Sequence, residues 1–157
     1  MFEIVLVHPQ IPQNTGSIGR ICVNTDSRLH IVRPIGFDMS EKALRRAGLD
    51  YWKLLDVTVW ESLEAFLEVH GGQRERFFFA TTKTDRPYFE ASFHKGDYLF
   101  FGSETRGLPQ ELMAQNPSRM ITIPMGKNGR SLNLSVAVGI VLYDAIRQNF
   151  PSFSYLD

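Results

Sequence analysis

Three polar loop segments hold most of the residues that could do chemistry in this chain. The first spans residues 12–20, the second residues 101–109, and the third residues 121–126 together with 131–135. Each segment follows a predicted strand and precedes a predicted helix. Open α/β proteins bind their ligands at loops in that position, at the carboxyl ends of parallel strands. The spacing therefore predicts one ligand site assembled from three loops.

Each segment also has a simpler structural interpretation. Asn14-Thr15-Gly16 could serve only as a turn and helix cap. The glycines of the second segment could only permit a sharp backbone path, leaving Glu104 and Arg106 solvated. Ser131 or Asn133 could simply cap the last helix. No single segment decides between the two interpretations, and the occurrence of all three in this order favours a site.

Several familiar kinds of site are excluded by the sequence. A dinucleotide-binding fold or a Rossmann-type methyltransferase would place a glycine-rich turn after the first strand and an acidic residue after the second. Residues 9–13 and Arg33-Pro34 stand there instead. The chain has neither a Walker A motif nor a Gly-x-Ser-x-Gly elbow. No metal is expected, because the histidines have unrelated spacings: His8, His30, His70 and His94.

The elements that must position these loops alternate along the chain. The predicted strands are residues 4–8, 29–32, 57–59, 77–81, 98–101 and 120–123. The predicted helices are residues 14–24, 41–47, 62–69 and 134–148. Ser40 predicts the start of the second helix and Gly48 its end. The order β-α-β-α-β-α-β-loop-β-α-β-α predicts an α/β fold, with a mostly parallel sheet flanked by helices.

The last predicted helix has almost no polar face before Asp144. Its apolar residues are Val136, Ala137, Val138, Ile140, Val141, Leu142, Ala145 and Ile146. A helix that is apolar all round is buried on more than one side. In so short a chain, a second copy is a natural partner for that helix, and we therefore expect a homodimer.

Composition bounds the class of protein. The 157 residues fit one domain spanning residues 1–157, and 17 basic residues balance 17 acidic ones. Any RNA site must then be a local basic patch, because there is no overall positive field. The one cysteine, Cys22, excludes an internal disulfide and suits a reducing compartment. With no signal peptide and no membrane-length apolar run, we expect a complete, cytoplasmic chain.

Taken together, the three segments resemble the SPOUT superfamily of S-adenosylmethionine-dependent RNA methyltransferases. Its 2′-O-methylating branch carries Asn-x-Gly-x-x-x-Arg, then Phe-Gly-x-Glu-x-x-Gly-Leu, then Ile-Pro-Met followed by Ser-Leu-Asn-Leu-Ser. This chain has the three motifs at residues 14–20, 101–108 and 123–135. Residues 44–51 and the compact length are typical of the minimal tRNA (cytidine(34)-2′-O)-methyltransferases, which lack the additional RNA-binding domain of their relatives.

This resemblance implies a C-terminal trefoil knot that holds S-adenosylmethionine, and a homodimer formed through the last helix. General rules of chain topology would predict no knot. The implied activity is 2′-O-methylation of the wobble nucleotide, position 34, a cytidine or modified uridine in the anticodon region of tRNA, with tRNA-Leu as the expected substrate. Two alternatives remain open: a catalytically silent SPOUT-fold RNA-binding protein, and a methyltransferase acting on another RNA.

Site residues follow by matching positions, together with the distribution of basic residues. The predicted catalytic residues are Arg20, Glu104 and Asn133. The predicted cofactor-binding residues are Ala80, Thr81, Gly102, Ile121, Ile123, Met125, Ser131, Leu132 and Leu134. The predicted RNA-binding residues are Asn14, Arg45, Arg46, Arg106, Arg130 and Tyr143. We expect Glu104 either to orient the second loop or to pair with an arginine.

Overall fold

A computed structural model describes residues 1–46 and 50–150 of the chain. Within them, the strands are β1 Glu3–Val7, β2 Arg28–Val32, β3 Val57–Trp60, β4 Phe77–Ala80, β5 Tyr98–Phe101 and β6 Met120–Ile121. The α-helices are α1 Pro12–Asn24, α2 Glu41–Arg46, α3 Leu63–His70, α4 Gln110–Ala114 and α5 Leu134–Asn149. The predicted end of the second helix at Gly48 lies outside the described residues.

The strands form one parallel sheet in the order β3-β2-β1-β5-β4-β6. In its centre, Val5 of β1 stands opposite His30 of β2 and Phe100 of β5. All carboxyl ends therefore meet at one edge of the sheet, where the three polar segments begin. The predicted α/β architecture and parallel sheet are confirmed.

Apolar side chains cover both faces of the sheet. On one face, Ile4 and Ile31 belong to the core that includes Ile18 of α1 and Val138 of α5. The alternate residues of the strands form a second core with Phe66 of α3, Leu112 and Met113. Because both faces are buried, the strands are unbroken apolar runs rather than alternating ones. No helix in the described ranges is long and apolar enough to cross a membrane.

Side-chain caps begin three of the helices where the sequence predicts them. Ser40 accepts a hydrogen bond from the backbone N of Ala43 at 3.2 Å, and Ser62 one from Ala65 at 3.0 Å. Asn133 accepts from the backbone N of Ser135 at 2.9 Å. These bonds satisfy backbone donors that the first helical turn leaves free.

Two element boundaries differ from the prediction by two residues, and the other differences are of one residue. Helix α1 starts at Pro12, two residues before the predicted start at Asn14, so Asn14-Thr15-Gly16 is helical and is not a turn or cap that precedes the helix. Proline suits the first helical position, because the N–H that it lacks has no partner there. Strand β6 ends at Ile121 rather than at residue 123, because the backbone N of Thr122 donates to the carbonyl of Arg86 at 2.8 Å instead of continuing the ladder.

Candidate functional site

A cavity of about 340 Å³ opens at the carboxyl edge of the sheet, beside β4, β5 and β6. Residues 80–83, residues 101–108 and part of residues 122–137 line it. A volume of this size is ordinary for a small-molecule site. The predicted cofactor-binding residues that line the cavity are Ala80, Thr81, Gly102, Ile123, Met125, Ser131, Leu132 and Leu134. Ile121 is buried in the sheet and is outside this lining.

The loop after β5 is folded tightly against itself. A Cβ atom on Gly102 would stand 2.0 Å from the carbonyl carbon of Gly107, which no side chain allows. Gly107 has a φ of 69°, a left-handed conformation that glycine adopts without strain. The turn is closed by the backbone N of Gly107, which donates to the carbonyl of Ser103 at 3.1 Å. The predicted sharp backbone path is confirmed, and the same loop lines the cavity.

Glu104 connects this loop to the start of helix α1. Its carboxylate accepts hydrogen bonds from the backbone N atoms of Gln10 at 2.8 Å and Ile11 at 3.1 Å. It also accepts one from Nδ2 of Asn14 at 3.3 Å. The free N–H groups and the dipole at a helix N-terminus favour a negative charge there. Of the two expected roles, orienting the loop is the one that these bonds support.

Asn14 in turn links Glu104 to the third segment. Its Oδ1 accepts a hydrogen bond from Nδ2 of Asn133 at 3.0 Å, and Oδ1 of Asn133 caps helix α5. We call Glu104, Asn14 and Asn133 the edge network. An asparagine amide carries a donor and an acceptor, so it can link two partners in series. Sequence reasoning missed this linkage, although the two asparagines were its visible signal.

Asn14 is 7% exposed, and both ends of its amide are engaged within the protein. A role in holding the motifs together therefore accounts for this side chain. Its contact with RNA stays a prediction.

Three cations stand around the cavity. Arg106 and Arg130, both predicted to bind RNA, are exposed and line it. Lys83 lines it as well and was missed by sequence reasoning, since no motif marks it. Glu104, the one acidic residue in that lining, is already occupied by three donors. The mouth of the cavity therefore presents positive charge that is available to an anionic ligand.

The remaining predicted residues lie outside the cavity lining. Arg20 is exposed on α1, with its guanidinium carbon 5.1 Å from the centre of the Tyr51 ring. Tyr143 is 50% exposed on α5, and Arg46 is exposed on α2. The side chain of Arg45 lies outside what the structure describes. The fold of a single chain therefore brings most of the predicted cofactor-binding residues together around the cavity, but Arg20 and Tyr143 are not part of its lining.

A second cavity, of about 510 Å³, lies at the carboxyl ends of β1, β2 and β3. It contains none of the predicted site residues, and its lining mixes Arg33 and Arg74 with Glu61, Glu64 and Glu111. This cavity is larger, but its mixed charges favour no particular class of ligand, so the first cavity is the stronger candidate. Among residues 1–46 and 50–150, no group of three His, Cys, Asp or Glu side chains could hold a metal ion.

Comparisons with known proteins agree on one family. The model of the SpoU rRNA Methylase family matches residues 1–143. The tRNA (cytidine(34)-2'-O)-methyltransferase of Methylovorus glucosotrophus is 46% identical over 150 residues, covering 95% of this chain and 96% of the relative. The enzyme of the same name from Escherichia coli is 49% identical over 149 residues, 94% of each chain.

A solved structure gives the same result in three dimensions. It concerns the 2-OH methylation of C/U34 on tRNA, is 44% identical to this chain, and superposes with a TM-score of 0.86. The match covers 95% of this chain and 96% of that one. With a family match over most of its length and relatives nearly half identical to it throughout, the chain belongs to the SpoU rRNA Methylase family.

Proposed function

We propose that this protein methylates the ribose 2′-oxygen of nucleotide 34, a cytidine or modified uridine, in tRNA. The observation that carries the proposal is the edge network, because it joins all three methyltransferase motifs beside one cavity. The relatives that carry this activity in their names match almost the entire chain. By resemblance, the expected substrate is a tRNA-Leu read at its anticodon region.

S-adenosylmethionine fits the cavity by the chemistry of the lining. Ile123, Leu132 and Leu134 supply apolar surface for an adenine ring, and Thr81 and Ser131 supply polar groups. When bound, the cofactor supplies a methyl group on a positively charged sulfur, which an oxygen nucleophile can take without a metal ion. Because Gly102 has no Cβ atom, the backbone of Gly107 and Leu108 packs directly against it, and this tight loop forms part of the cavity wall.

Arg20 is proposed to act on the ribose and its phosphate. A guanidinium stays charged in proteins, so it has no lone pair with which to remove the 2′-OH proton. As a cation with five N–H donors, it can bind an RNA phosphate and stabilise the negative charge that develops on the 2′-oxygen. The proton then passes to another acceptor or to water.

Glu104 and Asn133 were predicted to be catalytic, and we propose that they are positioning residues. Glu104 fixes the N-terminus of α1, and Asn133 fixes the N-terminus of α5. Since Asn14 joins them, the helix that carries Arg20 is held in register with the cavity. Productive alignment of this kind is worth several kcal/mol of barrier, or about a thousandfold in rate.

The proposed RNA surface is a set of local cations, because the chain is neutral overall. Arg106 and Arg130 border the cavity, and Arg45 and Arg46 belong to α2. Each would bind a phosphate, which fixes the position of the tRNA without reading its sequence. Tyr143 is proposed to contact the RNA or the second subunit through its half-exposed ring.

A homodimer is part of the proposal. Val136 and Tyr143 of α5 are each about half exposed, at 49% and 50%. The buried residues of the same helix are Leu134, Val138, Val141, Leu142, Ala145 and Ile146. Ile11 and Leu132 are also exposed. A second copy that packs on α5 would cover apolar side chains that a monomer leaves in water. Residues 1–157 are proposed to form a single cytoplasmic domain.

A C-terminal trefoil knot is proposed on the path of the chain around β6. On one edge of β6, the backbone N of Thr81 donates to the carbonyl of Ile121 at 2.9 Å. On the other edge, the backbone N of Tyr88 donates to the carbonyl of Thr122 at 2.8 Å. The connection from β4 to β5 therefore flanks β6 on both sides before the chain continues into α5. This path supports threading of the C-terminal segment through that connection.

The activity is tested with purified protein, methyl-labelled S-adenosylmethionine and tRNA transcripts. We expect label in 2′-O-methylated nucleotide 34, and none in a matched transcript with a 2′-deoxyribose at that position. Nucleoside mass spectrometry of tRNA from a strain that lacks the protein should show the same modification missing. Label in a base or in another RNA would favour the second alternative. Cofactor or RNA binding without any transfer would favour a silent RNA-binding protein.

A further inference from the structure

A short 3₁₀ helix, Asp50–Leu54, packs against helix α1 at the first motif. The hydroxyl of Tyr51 donates a hydrogen bond to the carbonyl oxygen of Gly16. Next to it, one ring carbon of Trp52 lies 3.1 Å, and another 3.4 Å, from where a Cβ atom on Gly19 would stand. Two neighbouring aromatic residues thus fasten this segment to the helix that carries Arg20.

Tyr51 also contacts Arg20 itself. The guanidinium carbon of Arg20 lies 5.1 Å from the centre of the Tyr51 ring, within the range of a cation–π interaction. In the described part of the chain, no carboxylate forms an ion pair with that guanidinium. A ring contact carries no opposite charge, so the guanidinium keeps its positive charge and its N–H donors for a phosphate or an oxygen anion.

The two contacts of Tyr51 reach the same side of α1. Gly16 and Arg20 are four residues apart, and such residues stand one above the other along a helix. The hydroxyl bond therefore fixes the ring one turn before Arg20, and the ring then restricts the long side chain of Arg20. A restrained arginine loses less conformational entropy when it binds its ligand.

We propose that Tyr51 is a positioning residue, which holds the Arg20 guanidinium in place for RNA while leaving its hydrogen-bond donors unused. This inference rests on the role proposed for Arg20 above. An acidic partner would also restrain Arg20, but it would neutralise the charge that phosphate binding requires. An aromatic ring restrains the cation without neutralising it.

Three variants test the proposal. Tyr51→Leu removes ring and hydroxyl, and Tyr51→Phe removes only the hydroxyl. Trp52→Leu is the matched control, because it loosens the same segment at Gly19 while leaving the Tyr51 ring in place. The measurements are the single-turnover methylation rate with saturating tRNA, the KM for tRNA, cofactor affinity by calorimetry, and Tm.

We expect Tyr51→Leu to lower the single-turnover rate about tenfold, with cofactor affinity unchanged. Tyr51→Phe should keep most of the rate, since its ring can still stack on Arg20. Trp52→Leu should lower Tm at least as much as Tyr51→Leu but change the rate less than about twofold. An equal loss of rate in Trp52→Leu and Tyr51→Leu would overturn the inference, because loosening of the segment would then explain both.

A double-mutant comparison separates this inference from the role of Arg20. In an Arg20→Ala background, Tyr51→Leu should cause no further loss of rate, because the side chain that it positions is gone. A further tenfold loss would overturn the inference. A fully active Arg20→Ala would overturn the proposed catalysis instead. A slow Arg20→Ala combined with a fully active Tyr51→Leu would overturn the positioning role alone.

Discussion

Two hydrogen-bonded networks in this protein are each built around a glutamate carboxylate, and they have different consequences. The edge network places the Glu104 carboxylate among three donors at the carboxyl end of the sheet. A second one, the core network of Glu3, His30 and Trp60, lies within the sheet. There, Nε2 of His30 is 2.7 Å from the Glu3 carboxylate, and Nε1 of Trp60 donates to Nδ1 of His30 at 3.1 Å.

What surrounds the two networks is different. The core network is enclosed by aromatic rings of α3 and β5, with Phe66 5.3 Å and Tyr98 6.3 Å from the His30 ring centre. Neither of the two cavities is lined by its members. The edge network borders a cavity, next to exposed Arg106 and Arg130. Of the two networks, only the edge network adjoins open volume and charged side chains that have no partner of opposite charge among the described residues, and we therefore assign the functional site to it.

The largest expected effect is at the cavity, from Gly102→Ala. A Cβ atom there meets the backbone of Gly107 at 2.0 Å and of Leu108 at 2.2 Å, so the loop that lines the cavity must move. We expect cofactor binding and methylation both to fall to background, measured by calorimetry and label transfer. Gly126→Ala is the control, since a Cβ atom there meets nothing within 4 Å. Normal cofactor affinity in Gly102→Ala would remove this loop from the site.

Arg20→Ala should have the second-largest effect, because it removes the proposed catalytic cation but leaves the fold intact. Arg20 is exposed and packs only on the Tyr51 ring among its described contacts. We expect turnover to fall about a hundredfold, the usual loss for one group that stabilises developing charge. Cofactor affinity should stay within about twofold, since Arg20 is outside the cavity lining.

Arg20→Lys tests how the charge is used. It should keep part of the rate if the side chain acts as a positive charge, even though the two-pronged geometry is lost. A near wild-type rate in Arg20→Ala would show that the residue has no part in the reaction.

Sequence reasoning succeeded where the signal is local. Unbroken apolar runs such as residues 77–80 mark strands buried on both faces, and Ser62 and Asn133 mark helix starts. The edge network has no local signature, because Asn14 and Asn133 meet across 119 positions of the chain. The cavity residues were predicted from the resemblance to a family rather than from residue chemistry. A site lined by apolar side chains and backbone has few residue types that would identify it in a sequence.

Glu3→Gln tests the core network, where we expect a loss of stability and no change in chemistry. Burial raises the pKa of Glu3, but the hydrogen bond from His30 and the positive charge of Arg28 are among the causes that lower it, and the net shift is downward. A lowered carboxyl pKa stabilises the fold above the unfolded pKa, about 4.3, and this stabilisation is lost as the pH falls through the folded pKa.

The variant should therefore lose about 2 kcal/mol of unfolding free energy at pH 7, and its difference from wild type should shrink below about pH 4. Denaturant unfolding at several pH values measures both. Glu61→Gln is the control, because that side chain is 84% exposed and 3.9 Å from Arg33. A Glu3→Gln protein with normal stability but reduced turnover would contradict the distinction between the two networks.

The smallest expected effects come from the cations at the cavity mouth. Each contact between an arginine and an RNA phosphate releases counterions. When one such contact is lost, tRNA affinity falls less steeply as the salt concentration rises. Arg106→Ala and Arg130→Ala should each weaken tRNA binding about fivefold and reduce the slope of log affinity against log salt by about one unit. Binding titrations at four or more salt concentrations measure both quantities. Cofactor affinity should change little, because the backbone and apolar lining remain.

Arg28→Gln is the control for this series. Arg28 is also an exposed arginine, but it begins β2 at the amino edge of the sheet, where it pairs with Asp56 at 3.0 Å. Arg28 lies at the edge opposite the cavity and is already paired with a carboxylate, so we expect it to make no contact with an RNA phosphate. The tRNA affinity of Arg28→Gln and its salt slope should therefore equal those of wild type. If Arg28→Gln flattened the slope as much as Arg106→Ala, the tRNA would be held by diffuse surface charge. The position of an arginine beside the cavity would then have no effect on tRNA binding, and the contrast between the two networks would no longer identify where RNA binds.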